Sequence, residues 1–148
     1  MNEFGHACDT RYITRDVKRN GFKTYDYVTT EITPYQSGCR FDIVGVKSRE
    51  GIVKIIEVKS HRRDFETDHK WEKYLDYATH FYFAAPEGVI LPSELPDGIG
   101  LIEYSNFNNG TGYMQYTKMA SKLHEIEPSK HILLLEAIIC SLNKDKPA

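Results

Sequence analysis

Two short apolar segments on either side of a polar turn constrain the fold of this chain more than any other feature. Residues 42–46 and 52–59 are rich in β-branched side chains, and the turn between them contains a glycine. This pattern predicts a β-hairpin. The register of the hairpin then decides which side chains meet, because a shift of one residue moves every side chain to the other face of the sheet.

The expected register brings three charged residues together. A turn centred between residues 49 and 50 places Asp42 opposite Glu57, and Lys59 shares the face of Glu57 because side chains alternate along a strand. Opposed carboxylates repel each other, and on an apolar sheet their desolvation adds to the cost. A divalent cation would remove both costs. Spacing alone favours a simpler alternative, a cross-strand ion-pair cluster worth about 0.2–1 kcal/mol.

The composition bounds the class of protein. The 148 residues suffice for one domain with a hydrophobic core, so we predict a single domain over residues 1–148. The net charge of −2 gives no global attraction to nucleic acid, so DNA binding would need a local basic surface. Three cysteines without paired spacing argue against a zinc site or a disulfide framework. Without a signal-peptide pattern or a long apolar run, we expect a cytoplasmic protein that binds no membrane.

Helices and strands are predicted on both sides of the hairpin. Residues 3–20 predict a helix that ends at a glycine, and residues 24–33 predict a strand that ends at a proline. Residues 64–77 predict a second helix with Asp64 as its N-cap. These elements place the hairpin within a sheet whose first three strands are antiparallel.

The C-terminal half completes a mixed α/β fold. Residues 80–85 and 99–104 predict two further strands, separated by a loop rich in proline and glycine. Residues 129–142 predict a helix with an apolar stripe, whereas residues 114–126 give no clear pattern. The order of elements predicts a mixed sheet flanked by helices, with an extra C-terminal helix.

Charged residues outside the hairpin supply further candidates. Four basic residues fall at helical spacing in the first predicted helix and form a stripe: Arg11, Arg15, Lys18 and Arg19. This stripe is either a solvated helix face or a surface that contacts phosphates. Glu31, on the first predicted strand, is either a third acid near the site or an exposed residue of a sheet edge.

The motif formed by Asp42 and Glu57-Val58-Lys59 resembles the hallmark of the PD-(D/E)xK nuclease superfamily. The order of the predicted elements is similar to the restriction-endonuclease-like αβββαβ core of that superfamily. A bare acid followed by E-x-K is a weak signal by itself. Its position on two adjacent β-branched strands makes the resemblance more specific.

A longer pattern is more specific still. It consists of Arg40-Phe41-Asp42-Ile43, Ile56-Glu57-Val58-Lys59-Ser60, Asp64-Phe65, Asp68, Lys70-Trp71, Tyr74-Leu75-Asp76-Tyr77 and Phe81-Tyr82-Phe83-Ala84. This pattern resembles the MmcB-like DNA-repair proteins of bacteria. The resemblance covers a core of about residues 3–105 and leaves residues 106–148 as an extension. It departs from the superfamily pattern at Phe41, which stands where a proline often precedes the first acid.

The resemblance implies a metal-dependent deoxyribonuclease that acts in repair, recombination or defence. Asp42, Glu57 and the backbone carbonyl of Val58 would hold Mg²⁺ or Mn²⁺, which prefer oxygen ligands. Lys59 would orient or help deprotonate the attacking water and neutralise charge on the phosphorus. We therefore predict Asp42, Glu57 and Lys59 as the catalytic residues, and Asp68 and Lys70 as auxiliary residues that contact water or phosphate.

DNA is the expected partner, and its backbone would be held by basic and polar residues around the site: Arg11, Arg15, Gln36, Arg40, His61 and Arg62. A nuclease of this size often needs two copies to cut two strands, which leaves a homodimer as an option. Two other functions stay open. The first is a DNA-binding module without turnover, and the second is a partner-binding protein that ignores nucleic acid.

Overall fold

A six-stranded sheet with helices on both faces forms the core of the computed structural model, which describes residues 10–106 and 112–144. The elements in chain order are α1 (Thr10–Asn20), β1 (Tyr27–Ile32), β2 (Phe41–Lys47), β3 (Ile52–Val58), α2 (Arg62–Thr67), a 3₁₀ helix (Trp71–Tyr77), β4 (His80–Pro86), a short 3₁₀ turn (Pro92–Glu94), β5 (Gly100–Asn106), β6 (Gly112–Lys118) and α3 (Pro128–Lys144).

The sheet is mixed, and its strand order follows the chain from β1 to β6. Strands β1, β2 and β3 are antiparallel, β3, β4 and β5 are parallel, and β6 returns antiparallel to β5. The step from β3 to β4 is parallel because α2 and the 3₁₀ helix carry the chain back across the sheet. The predicted mixed α/β fold with a C-terminal helix is confirmed.

Each face of the sheet has its own apolar layer. On one face, Val44, Ile55 and Phe81 pack with residues of the 3₁₀ helix and α3. On the other face, Ile43 and Ile56 pack with residues of α1. Strands β3 and β4 are buried on both faces, which explains why their sequences are continuous apolar runs.

The hairpin has the register that its sequence predicts. Ile43 pairs with Ile56, and Val44 pairs with Ile55. Its turn includes Gly51 at a φ of +65°, a backbone conformation that side chains disfavour. Asp42 and Glu57 come next along this ladder, at the end of the hairpin away from the turn.

The single helix predicted over residues 64–77 is wrong, because two short segments replace it. Helix α2 ends at Thr67, and the 3₁₀ helix begins only at Trp71. Asp64 is not the N-cap, because it lies inside the first turn of α2. His61 occupies the N-cap position, and its side chain makes no capping hydrogen bond. The break follows from Asp68, whose carboxylate accepts backbone hydrogen bonds within the next three residues and so competes with a helix.

Other boundaries also differ from the predictions. Residues 114–126, which give no clear pattern, include most of the edge strand β6, whose mostly exposed side chains give no hydrophobic alternation. Strand β1 starts at Tyr27, because a tight turn in which the Tyr25 amide bonds to the Phe22 carbonyl precedes it. Residues 3–9 of the first predicted helix lie outside the described residues. Across residues 10–106 and 112–144, none of the helices has the length and apolar content needed to cross a membrane.

Candidate functional site

The end of the hairpin opposite its turn opens into a cavity of about 460 Å³. The start of β2, the end of β3 and the region of α2 and the 3₁₀ helix all contribute to its walls. Its lining residues are Arg40, Asp42, Glu57, Val58, Lys59, Asp64, Thr67, Asp68, Lys70 and Tyr74. The structure therefore brings Asp42, Glu57 and Lys59 into one cavity, together with the auxiliary candidates Asp68 and Lys70.

A larger cavity of about 760 Å³ lies elsewhere, between β1 and α3. Its charged lining residues are all exposed: Lys18, Glu31, Glu136 and Lys144. Buried ionisable groups in mutual contact mark functional sites better than volume does. The smaller cavity is the better candidate because the buried Glu57 lies there beside three half-buried ionisable residues, Asp42, Lys59 and Asp68.

Asp42 and Glu57 are in direct contact. Their carboxyl groups lie within hydrogen-bonding reach, and Glu57 is only 6% exposed. Burial raises the pKa of Glu57 far above its usual value, and the hydrogen bond and negative charge of Asp42 raise it further, whereas Lys59 opposes the shift. Two neighbouring acids in such a setting favour a positive charge beside them.

The backbone of Val58 faces the same acids. Its amide donates a hydrogen bond of 2.8 Å to Asp42 Oδ2, which fixes the orientation of that carboxylate. The amide of Lys59 donates to the carbonyl of Ala84 on β4 at 2.9 Å. Since backbone groups alternate between the two neighbours of a strand, the carbonyl of Val58 faces the β2 side, where Asp42 lies.

Lys59 lies beside two acids inside the cavity and is bonded to one of them. Its Nζ lies 2.7 Å from Asp68 Oδ2 and 4.0 Å from Glu57 Oε2, and its side chain is 12% exposed. Burial acts to raise the pKa of Asp68, but hydrogen bonds from Lys59 and from two backbone amides outweigh burial and lower it. Asp68 is therefore a charged partner of the lysine ammonium.

The donor set fits one class of metal ion. Within residues 10–106 and 112–144, the His, Cys, Asp and Glu side chains form no group of three or more that could hold a metal. The candidate ligands are thus two carboxylates, from Asp42 and Glu57, and the carbonyl of Val58. Such a set fits Mg²⁺, which keeps several waters and takes one or two carboxylates from the protein. It does not fit a structural zinc site, which needs four protein ligands.

Glu31 is not a third acid in this cavity. It lies across from Asp42 in the β1–β2 register, between the pairs Thr30–Ile43 and Ile32–Phe41. However, its φ of +56° is unusual for a strand residue, and its exposed carboxylate pairs with Arg40 at 3.0 Å. Arg40 lies at the rim of the cavity, and its guanidinium forms an ion pair with Glu31 outside it.

Two of the predicted DNA contacts, Arg11 and Arg15, lie on α1, away from the cavity. Helix α1 packs on the face of the sheet that carries Ile43 and Ile56, whereas alternation places Glu57 on the other face. Arg15 also pairs with Asp16, with its Nε 3.0 Å from Oδ1. The structure does not bring the basic stripe of α1 to the acids.

The remaining candidates lie around the cavity without lining it. Arg62 makes a two-pronged ion pair with Glu94, with one contact of 2.6 Å, and its Nε lies 2.7 Å from Glu66. Its N–H donors are therefore engaged by acids of the protein itself. His61 is exposed beside Asp64, with 3.5 Å between Nδ1 and Oδ2. Gln36 lines a separate cavity of about 370 Å³.

Sequence reasoning missed Tyr74 as a cavity residue, since its helical spacing indicated only a core position. It is buried, and its ring packs edge-on against Phe41, with 5.1 Å between the ring centroids. Burial, reinforced by the negative charge of Glu57, raises the pKa of Tyr74 to about 12, while its hydroxyl oxygen accepts a bond from the Arg40 amide. The one sequence feature that could have indicated this role is the hydroxyl group that Tyr74 adds to an otherwise apolar face of the predicted helix.

Comparisons with known proteins complete the description of the site. A protein of unknown function from Silicibacter pomeroyi has a similar solved structure, with a TM-score of 0.69 and 25% sequence identity. The match covers 89% of this chain and 84% of that chain. No curated protein matches the chain. The family model described as DNA repair protein MmcB-like matches residues 5–139, which is most of the chain. The protein therefore belongs to the MmcB-like DNA repair family.

Proposed function

We propose that this protein is a Mg²⁺- or Mn²⁺-dependent deoxyribonuclease of the PD-(D/E)xK type, which hydrolyses phosphodiester bonds of DNA in repair, recombination or defence. Membership of a DNA-repair family indicates a DNA-related role. The observation that carries the nuclease proposal is the contact of the buried Glu57 carboxyl group with the half-buried Asp42, beside the ammonium of Lys59. Two acids and one lysine in a single cavity match what phosphodiester hydrolysis requires.

Each of these residues has a distinct role in the proposed reaction. Asp42, Glu57 and the Val58 carbonyl would hold the ion, and the Val58 amide orients Asp42 for this purpose. A bound Mg²⁺ supplies Lewis acidity and lowers the pKa of a coordinated water. Lys59 places a positive charge beside the acids, where it stabilises negative charge that develops on the phosphate and orients the attacking water.

Arg40 and Lys70 are the cations best placed to hold the DNA backbone. Both are exposed and line the cavity. The Arg40–Glu31 pair is exposed on both sides, at 66% and 69%, and such pairs contribute only about 0–1 kcal/mol. A DNA phosphate can therefore replace Glu31 as the partner of Arg40 at little cost.

A DNA-binding module without turnover is the second candidate. The observation that favours it is the close Lys59–Asp68 pair, because a lysine bound to a carboxylate has less freedom to act on a substrate. The two candidates differ in their response to metal. A binding module holds DNA equally well in chelator and cleaves nothing in Mn²⁺.

The test is cleavage of a panel of labelled DNA structures in Mg²⁺, Mn²⁺ and chelator. We expect metal-dependent cleavage by the wild-type protein and none by Glu57→Gln, which replaces a proposed metal-binding carboxylate with an amide of nearly the same shape. Glu125→Gln is the matched control because Glu125 is exposed, pairs with Lys122 and lies outside the cavity. Cleavage that persists in chelator, or that Glu57→Gln leaves undiminished, would contradict the proposal.

A further inference from the structure

Asp68 uses both of its carboxylate oxygens. Oδ1 accepts the backbone amides of Lys70 at 2.8 Å and Trp71 at 3.1 Å, while Oδ2 accepts Lys59 Nζ at 2.7 Å. Its side chain is 10% exposed. A single carboxylate therefore connects the start of the 3₁₀ helix to the lysine of the candidate site.

The core fixes the position of this carboxylate. Trp71, whose amide bonds to Oδ1, packs against Phe81 and Phe83 with 5.8 and 5.2 Å between ring centroids. Asp68 itself leaves helix α2 in an extended conformation, with φ −79° and ψ 113°. Because Oδ1 is bonded to the amide of a residue that packs on core rings, Oδ2 is presented to Lys59 at a defined place.

Lys59 needs such a support. Its flexible side chain has about 2 kcal/mol of rotamer entropy to lose when it is ordered. The distance of 4.0 Å to Glu57 is too long for a hydrogen bond, so Glu57 does not fix the ammonium. Without Asp68, the ammonium would move onto Glu57 or Asp42, the same acids that a metal ion requires.

We propose that Asp68 is a positioning residue that holds the Lys59 ammonium beside the metal-binding acids and keeps it from pairing with them. This inference rests on the proposed nuclease function. It replaces the expectation that Asp68 contacts water or phosphate, since its oxygens are already engaged and its negative charge repels a phosphate. It also excludes Asp68 from the ligand set of the ion.

Two substitutions separate the two tasks of Asp68. In Asp68→Asn, the amide oxygen still accepts the bonds from Lys70 and Trp71, but the amide nitrogen cannot accept a bond from Lys59. Asp68→Ala loses both contacts. Trp71 is the one tryptophan of the chain, so its fluorescence reports directly on the start of the 3₁₀ helix. Asp76→Asn, an exposed position on the same 3₁₀ helix, is the matched control.

Cleavage kinetics give the first readout. We expect Asp68→Asn to keep the wild-type Trp71 emission and melting temperature, to lower kcat in Mg²⁺ by about 100-fold, and to leave KM for DNA unchanged, because a displaced catalytic group slows the reaction without changing DNA binding. Asp76→Asn should match the wild type. Full activity of Asp68→Asn, or a loss seen only with altered Trp71 emission, would overturn the inference.

Binding of Mn²⁺ gives a readout that does not depend on cleavage. If Asp68 acts through Lys59, Asp68→Asn weakens Mn²⁺ binding in the wild-type background, because the freed ammonium occupies the acids, but has no effect in a Lys59→Met background. If Asp68 is itself a ligand, the affinity falls in both backgrounds, and the inference fails while the nuclease proposal stands. A wild-type protein that neither binds Mn²⁺ nor cleaves DNA would overturn both.

Discussion

Strand β3 and the residue that follows it carry two lysines with little exposed surface and opposite surroundings. Lys54 is 5% exposed, and its Nζ lies 4.9 Å from the ring centroids of Phe22, Tyr82 and Tyr116 and 5.7 Å from that of Tyr25. Its Nζ donates to the carbonyl of Gly21 at 3.0 Å and to the hydroxyl of Tyr116 at 2.7 Å. Its partners are neutral, whereas those of Lys59 are the carboxylates of Asp68 and Glu57.

The difference lies in what balances each charge. Five positions apart, the two lysines point to opposite faces of the sheet. At Lys54, rings and two oxygen atoms stabilise the ammonium without any full negative charge, which suits a structural contact that joins the end of α1 to β6. At Lys59, acids outnumber the lysine, so the site still attracts a cation. Burial of a lysine therefore does not by itself indicate a functional site, whereas an excess of acids packed beside it does.

The largest effect that tests this comparison is on cleavage. We expect Lys59→Ala to reduce the single-turnover rate in Mg²⁺ by about 10²–10⁴-fold, because a group that acts on the transition state is lost. Lys54→Met, which keeps the length of the side chain within the ring cluster, should cleave at close to the wild-type rate. Equal losses in both variants, with melting temperatures unchanged, would show that the two lysines do not differ in role.

The second effect is on stability at alkaline pH. Burial lowers the pKa of Lys54 from 10.5 to about 8, so the unfolded chain binds more protons than the folded protein between these values. The penalty for burying the charge is therefore fully present below pH 8 and is relieved as the pH rises through this window. The gain should stay under about 3 kcal/mol, because the rings and oxygen acceptors favour the charged form.

Denaturant unfolding of the wild type and Lys54→Met, measured in parallel from pH 7 to 10.5, isolates this contribution because the other titrating groups are common to both proteins. The difference in the free energy of unfolding should move in favour of the wild type as the pH rises. A flat difference would mean that the aromatic ring cluster compensates fully for the burial of the charge.

More of the site around Lys59 than of the cluster around Lys54 could be predicted from the sequence, because its residues lie closer together along the chain. Asp42, Glu57 and Lys59 lie on one hairpin, and β-branched alternation with a single turn fixes their register. The rings around Lys54 come from the turn after α1, from β4 and from β6, so only the assembled sheet brings them together. No local pattern in the sequence marks that convergence.

The missed elements have local explanations. The periodicity of Trp71, Tyr74 and Leu75 is compatible with either an α-helix or a 3₁₀ helix, and it hid the break at Asp68, which depends on a side chain competing for backbone amides. Strand β6 lies at the edge of the sheet and is largely exposed, so it carries no apolar alternation to detect. In both cases, the deciding feature leaves no trace in the hydrophobic periodicity from which helices and strands are predicted.

A third, smaller effect concerns the free energy of unfolding, which the clustering of acids around Lys59 lowers in the absence of metal. In chelator at pH 7, Glu57→Gln should stabilise the protein by about 1–2 kcal/mol, because burial beside Asp42 disfavours the ionised form of Glu57 that the unfolded chain adopts, whereas glutamine is neutral in both states. The same variant should lose the rise in melting temperature that Mg²⁺ gives the wild type. Unfolding curves in chelator and in Mg²⁺ measure both changes. A less stable Glu57→Gln protein in chelator would mean that Lys59 and the hydrogen bond with Asp42 already stabilise the carboxyl group of Glu57.

The smallest effect concerns the exposed pair of Arg40 and Glu31, which contrasts with both buried lysines. Glu31→Gln should change the free energy of unfolding by less than about 1 kcal/mol, because solvent screens an exposed pair. It should raise DNA affinity by up to about fivefold, since Arg40 no longer has to leave an acid to reach a phosphate. Titrations of cleavage-inactive Glu57→Gln and of the Glu31→Gln, Glu57→Gln double variant, at several salt concentrations, measure this gain. Unchanged affinity at every salt concentration would mean that Arg40 does not contact the DNA backbone.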